Sequence, residues 1–148
     1  METAAIDDAM VATLQTDPAL AALCPDGVFW DVAPHGSKAF VIISLVTQSA
    51  DAVFGGRAIE TTIYAVKAVI VNGAGDIAAA AARIDALLDE GTLTIPGATF
   101  MAMHRDDDNG RIRYTEFDDQ NKSIRWQHRG SRYRVEVSLS AALERTRS

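Results

Sequence analysis

Cysteine, proline and long apolar runs are all scarce in this chain, and each scarcity removes a class of answer. Cys24 is the only cysteine among 148 residues, so no internal disulfide can form and no cysteine zinc site can be assembled. No apolar stretch reaches the roughly 18 to 20 residues that a membrane helix needs. The opening Met-Glu-Thr-Ala-Ala-Ile-Asp-Asp is acidic where a signal peptide would be basic, so the expectation is a protein made in the cytoplasm and kept out of membranes. No internal repeat, low-complexity stretch or linker divides the sequence. With 48% hydrophobic residues, the chain reads as one domain, 1–148, with an adequate core.

Catalytic signals are also missing. His35, His104 and His128 lie in unrelated segments and are never spaced as helical or strand pairs. No serine or cysteine sits in an elbow motif near them, and no acid pair is isolated in apolar surroundings that would raise a pKa. The expectation is a non-enzyme with no catalytic, cofactor or metal residues.

The net charge of −6 is distributed unevenly. Residues 1–108 hold 5 basic and 15 acidic side chains, and residues 109–148 hold 9 basic and 5 acidic, giving −10 followed by +4. Such a reversal can create an acidic face and a basic face that let copies dock, although solvated charges distribute unevenly without a partner as well.

Local signals agree on an α+β fold, a mostly antiparallel sheet with a long helix packed on one face and an N-terminal helix. Thr3 can cap that first helix, with Asp7 and Asp8 near its positive end and Ile6, Met10 and Leu14 on one stripe to about Thr16. Asp17-Pro18 starts a second, short helix that ends before Pro25. Val28 to Val32 reads as a strand. Ala39 to Gln48 and Ile59 to Val71 read as two long strands joined by a long, mobile polar loop, Ser49 to Ala58. Asp76 caps a helix carrying Ile77, Ala81, Ile84 and Leu88 on one face, with Gly91 as its left-handed terminator. Leu93 to Ile95, Phe100 to His104, Arg111 to Phe117, Ile124 to Arg129 and Tyr133 to Leu139 suit strands, with Gly130-Ser131 as a turn. Glu144 to Ser148 reads as a frayed tail.

Three motifs invite chemical readings. Asn72-Gly73-Ala74-Gly75-Asp76-Ile77-Ala78 follows a strand, opens a helix and fits the G-x-G-x-x-A pattern that holds a dinucleotide pyrophosphate. Against that, Asp76 already brings a negative charge to the helix start, and the ribose-binding acid expected about 20 residues later is missing. Arg105 to Gly110, with Glu116, partly resembles a calcium loop, but its first position is Arg105 where a carboxylate is needed. The arginines Arg111, Arg113, Arg125, Arg129, Arg132 and Arg134 interleave with Tyr114, Trp126 and Tyr133. This set suits phosphate and bases, a protein interface or an ordinary solvated face. The pI near 4.9 speaks against general nucleic-acid binding.

The order of elements, with Thr16-Asp17-Pro18-Ala19-Leu20, Val28-Phe29-Trp30-Asp31-Val32-Ala33-Pro34, Phe54-Gly55-Gly56-Arg57, Ile84-Asp85-Ala86-Leu87-Leu88 and Tyr133-Arg134-Val135-Glu136-Val137, resembles the tail-completion or tail-terminator proteins of long-tailed bacteriophages. The likeness covers nearly the whole chain through loose patterns. Asp106 to Ser123 is longer and more polar than the family pattern. The resemblance implies a structural virion protein that is assembled in the host cytoplasm as a homo-oligomeric, typically hexameric, ring. Such a ring caps the tail tube, stops its polymerisation and meets the head-side connector, while DNA passes through without sequence-specific binding. Loop length and charge sign then nominate Asp51, Phe54 and Arg57, the acidic hairpin Asp106, Asp107 and Asp108, and the six arginines as interface residues. Another neck or head-closure ring protein, or a small nucleotide-binding enzyme domain using Gly73 to Ala78, is the alternative.

Overall fold

Ile6, Met10 and Leu14 recur every fourth residue and are all buried, which fixes the inward stripe of the first helix, α1 (Glu2–Gln15). The computed structural model describes the backbone of residues 2–53, 57–106 and 110–139, and the side chains of 5–51, 58–106 and 110–138. Thr3 lies inside α1, which begins one residue earlier, and does not precede it as a cap. The expected frayed segment, Glu144 to Ser148, lies outside the described residues.

The second helix, α2 (Pro18–Leu23), starts as its sequence predicts. Asp17 adopts an extended backbone and its carboxylate accepts the Leu20 N–H, with Pro18 in the first helical position. The same carboxylate takes two hydrogen bonds from Arg83, at 2.8 and 2.6 Å, and thereby ties α2 to the third helix, α3 (Ile77–Leu88). The Arg83 hydrogen bond, partly opposed by burial, holds the Asp17 carboxyl down at about 2. A folded pKa below the unfolded one gives stability that is present above the unfolded value and lost as pH falls through the folded one. Asp17→Ala should therefore lower the melting temperature at neutral pH, with about 1 kcal/mol from the cap alone. The gap to the parent should close between about pH 4 and pH 2 in thermal scans.

Six strands form one sheet: β1 (Val28–Trp30), β2 (Ala39–Val53), β3 (Arg57–Val71), β4 (Thr99–Arg105), β5 (Arg111–Phe117) and β6 (Arg125–Leu139). The order is β1-β2-β3-β6, with β4 and β5 both on the outer side of β6. β5 pairs with Arg125 to Ser131 of β6, and β4 with Tyr133 to Ser138. β1 alone is parallel to its neighbour.

Four local expectations are corrected by this topology. The loop Ser49 to Ala58 is largely ladder, because Ser49 to Val53 pair with Thr61 to Arg57. Ser, Ala and Asp have weak strand preference, and the well-formed partner strand overrides it. Gly130-Ser131 is no turn: β6 runs straight through it, with Gly130 facing Lys67 on one side and Ile112 on the other. Leu93 to Ile95 make no strand, since the free side of β6 is already taken by β4 and β5, yet Leu93 and Ile95 are buried. The left-handed residue after α3 is Glu90, at φ 60°, while a Cβ on Gly91 would lie 2.3 Å from the Leu87 carbonyl oxygen. Close approach, not helix termination, explains that glycine.

The helices cover one face of the sheet. Ala80, Ile84 and Leu88 of α3 are fully buried, so Ala80 rather than Ala81 supplies the inward alanine. They join Val41, Ile43, Tyr64, Val66, Tyr133, Val135 and Val137 in the main core. Two tyrosines bolt helix to sheet: Tyr64 donates its hydroxyl to Asp7 of α1 at 2.6 Å, and Tyr133 donates to Asp85 of α3 at 2.9 Å. Burial and these acceptors push both phenol pKa values up, so both hydroxyls keep their protons as donors. A smaller cluster, Phe40, Ile42 and Val69, sits on the opposite face under Phe29, Ala33 and Trp126.

Candidate functional site

Cross-strand partners share a face, so the register sorts the nominated residues. Arg111 and Arg113 of β5 face the same side as Ser131 and Arg129 of β6, the side covered by α3. Arg125 shares it, opposite Phe117. Arg132 and Arg134 project from the other face with Trp126 and His128, and Arg134 lies 3.5 Å from Glu136. Alternation does put several of the arginines on one sheet face: four stand on the helix side and two on the open side. Tyr133, which interleaves with them in sequence, is core.

Arg111, Arg113 and Arg129 line a cleft of about 440 Å³ between α3 and the β5–β6 ladder. Its α3 wall is Ala78, Ala81 and Ala82, and its floor includes Gly130 and Ser131. The alanine run that lets α3 lie close on the sheet also keeps this cleft open. Asp85 is its one acid.

The acidic set is dispersed. Asp51 is exposed on β2, opposite Ile59. Arg57 opens β3, paired through its backbone with Val53. Asp106 donates its backbone N–H to the Arg132 carbonyl at 2.8 Å. Phe54, Asp107, Asp108 and the Arg57 side chain lie outside the described residues. Asp51 and Asp106 belong to separate strand ends, and Asp106 lies against Gly110, the residue before Arg111 of the cleft.

A cluster that spacing does not reveal occupies the open face. His128 is buried beneath Tyr114, the rings stacked 4.3 Å apart at 10°. Lys67 donates to the Tyr114 hydroxyl at 2.7 Å, and His128 Nε2 lies 2.5 Å from Glu116. Burial, helped by Lys67, pushes the His128 pKa down, against an upward pull from Glu116. The residues come from three strands, so only the register unites them.

The other two motifs resolve structurally. Asp76 occupies the start of α3 with its carboxylate, accepting the Ala79 N–H at 3.0 Å, in the position a pyrophosphate would need. The strand before it is hairpin-paired and antiparallel, unlike the parallel unit that the dinucleotide pattern requires. Glu116, the would-be twelfth calcium ligand, stands on β5 beside His128, and Arg105 reaches instead to Asp85 at 2.8 Å. Among the described residues, no three His, Cys, Asp or Glu side chains converge as metal ligands.

Every large exposed hydrophobic among the described residues lies at one of the sheet's two sides. Trp30, Val32, Leu45 and Val46 mark the β1–β2 side, and Met101, Tyr114 and Phe117 the β4–β5 side. β1 covers β2 only at Val41 to Ile43, which leaves the outer edge of β2 open beyond it among the described residues. A bulge between Leu45 and Thr47 twists that edge.

No protein-family model matches the chain, and no curated protein matches it. Among solved structures, a chain from the virion of a native gene transfer agent particle is similar, with a TM-score of 0.57, 20% identity, and coverage of 91% of this chain and 97% of that one. A second solved chain that carries no functional name is similar at a TM-score of 0.52 and 19% identity, over 91% of this chain and 96% of that one. Over nearly its whole length, this chain therefore shares its fold with a chain of a gene transfer agent virion.

Proposed function

We propose that this chain is a structural component of a phage-like particle, a tail terminator that closes into a ring on the tail tube. The observation that carries the reading is the shared fold with a gene transfer agent virion chain, nearly end to end in both proteins. The two exposed sheet sides support the ring. An uncovered strand edge with exposed Leu45 and Val46 is unfavourable in a lone subunit, and the opposite side offers Phe117 and Met101. Contact between unlike edges is heterologous, so it propagates around a rotation axis until it closes. A closed hexamer on the tube leaves no edge on which the next ring can build.

In this reading residues 1–148 act as one domain. The partners are further copies of the chain, the tail tube protein and the head-side connector, with DNA threading the ring without sequence readout. The protein resides in the tail or neck of the particle after assembly in the host cytoplasm. Asp51, Phe54 and Arg57 at the β2–β3 hairpin and Asp106 to Asp108 contact neighbours or the channel.

Leu45→Lys combined with Phe117→Lys places charge on both edges and should abolish self-association while leaving the melting temperature of the monomer nearly unchanged, as read by sedimentation velocity. The function itself is tested by polymerising the cognate tail tube protein with and without this chain and measuring tube lengths by electron microscopy. Short tubes, each ending in a ring at one end, are expected. Tubes of unchanged length with the protein absent from their ends would refute a terminator, and rings found only on the head-side connector would point to a head-closure protein.

A further inference from the structure

We infer that the cleft between α3 and the β5–β6 ladder is a docking site for a carboxylate-bearing segment of a second protein chain. The inference stands on this cleft alone and does not depend on the particle reading. Arg113 lies directly opposite Arg129 across the ladder, with Arg111 on the same face two residues away. Like charges directly opposite one another destabilise a strand pair. Among the described residues nothing relieves them, because none of the three guanidinium groups makes a hydrogen bond or ion pair with any of those residues. The one carboxylate in the cleft, Asp85, is taken by the Tyr133 hydroxyl at 2.9 Å and by Arg105 at 2.8 Å. Three cations thus line the sheet side of a space of about 440 Å³ with no free counter-charge among the described residues.

The shape selects a chain over a point ion. The cleft continues into a second hollow of about 100 Å³ that shares Arg113 and Arg129 and reaches Ile77 and Thr115. Its walls of alanine, glycine and serine admit a backbone and small side chains, and each arginine can fork to one carboxylate. Nucleic acid is the weaker fit. The chain carries −6 overall, and that surplus repels a long polyanion, whereas a short acidic segment meets only the local field.

The test titrates a fluorescein-labelled hexaglutamate peptide into the full-length protein at low salt and follows anisotropy. Saturable binding that weakens at least tenfold in Arg113→Ser/Arg129→Ser, and persists in Arg134→Ser on the opposite face, is the expected result. Ala81→Leu, which fills the cleft with a strong helix former and leaves every charge in place, should weaken binding by a similar factor. Unchanged melting temperatures would establish that the variants are folded, and if the double variant unfolds, Ala81→Leu alone decides. Absence of peptide binding by the parent, equal binding by the cleft variants, or tighter binding of a single-stranded oligonucleotide of matched charge would each overturn the assignment.

Discussion

Gly130→Val should unfold the protein or bring it to the edge of unfolding. Gly130 sits mid-strand in β6, paired with Lys67 of β3 and Ile112 of β5. A Cβ there would lie 2.0 Å from the Val66 carbonyl oxygen and 2.5 Å from the Lys67 Cα. Both obstacles are backbone, so no rotamer change makes room. Adjusting β3 would disturb the ladders on both its sides, because it pairs with β2 as well as β6. Overpacking a core typically costs about 1–3 kcal/mol, and with the obstacle being main chain the loss should reach about 4 kcal/mol or more, the range reserved for distinct mechanisms. Against a total stability of about 5–15 kcal/mol, urea unfolding should show a large drop in midpoint for Gly130→Ala and no native baseline for Gly130→Val. A valine variant as stable as the parent would mean that the three strands do not meet at this residue.

The second large effect is expected at Tyr64. Its ring is completely buried, lies 6.1 Å from Trp30 between centroids, and its hydroxyl donates to Asp7 at 2.6 Å. Tyr64→Ala removes the ring and the bolt to α1 together and should cost about 3–5 kcal/mol. Tyr64→Phe keeps the packing and loses only the hydrogen bond to a charged acceptor, for about 1.5–3 kcal/mol. The pair of variants separates the two contributions by chemical denaturation. Asp7→Asn, which keeps an acceptor but removes its charge, should fall below the loss in Tyr64→Phe.

Much of this fold could be read from sequence where one element carries its own signal. The α1 stripe, the Asp17-Pro18 start of α2, the Asp76 cap of α3 and the span of β5 all follow from spacing and capping within a few residues, and each stands in the structure as expected. The misreadings arose where a partner strand decides. Ser49 to Val53 resemble a loop until β3 is placed beside them, and Gly130 resembles a turn until the β3 backbone is seen to crowd it. The candidate site shows the same division. Arginine alternation was visible, but which arginines share a face required the β5–β6 register. The Lys67, Tyr114, Glu116 and His128 cluster joins the hairpin partners β5 and β6 to the more distant β3, and no local pattern brings Lys67 to it. The cleft was legible only in part, since the alanine run of α3 announces close packing but not the arginines that would face it.

Copies of this chain are expected to associate through unlike sheet edges and close. Light scattering coupled to size-exclusion chromatography, with negative-stain images of the peak fraction, tests it most directly. The expected result is one oligomeric mass at a whole multiple, greater than one, of the 15.9 kDa subunit, with closed rings on the grid, and neither in the Leu45→Lys/Phe117→Lys variant. A monomer at every concentration, or a mass and ring unaffected by charging both edges, would contradict it.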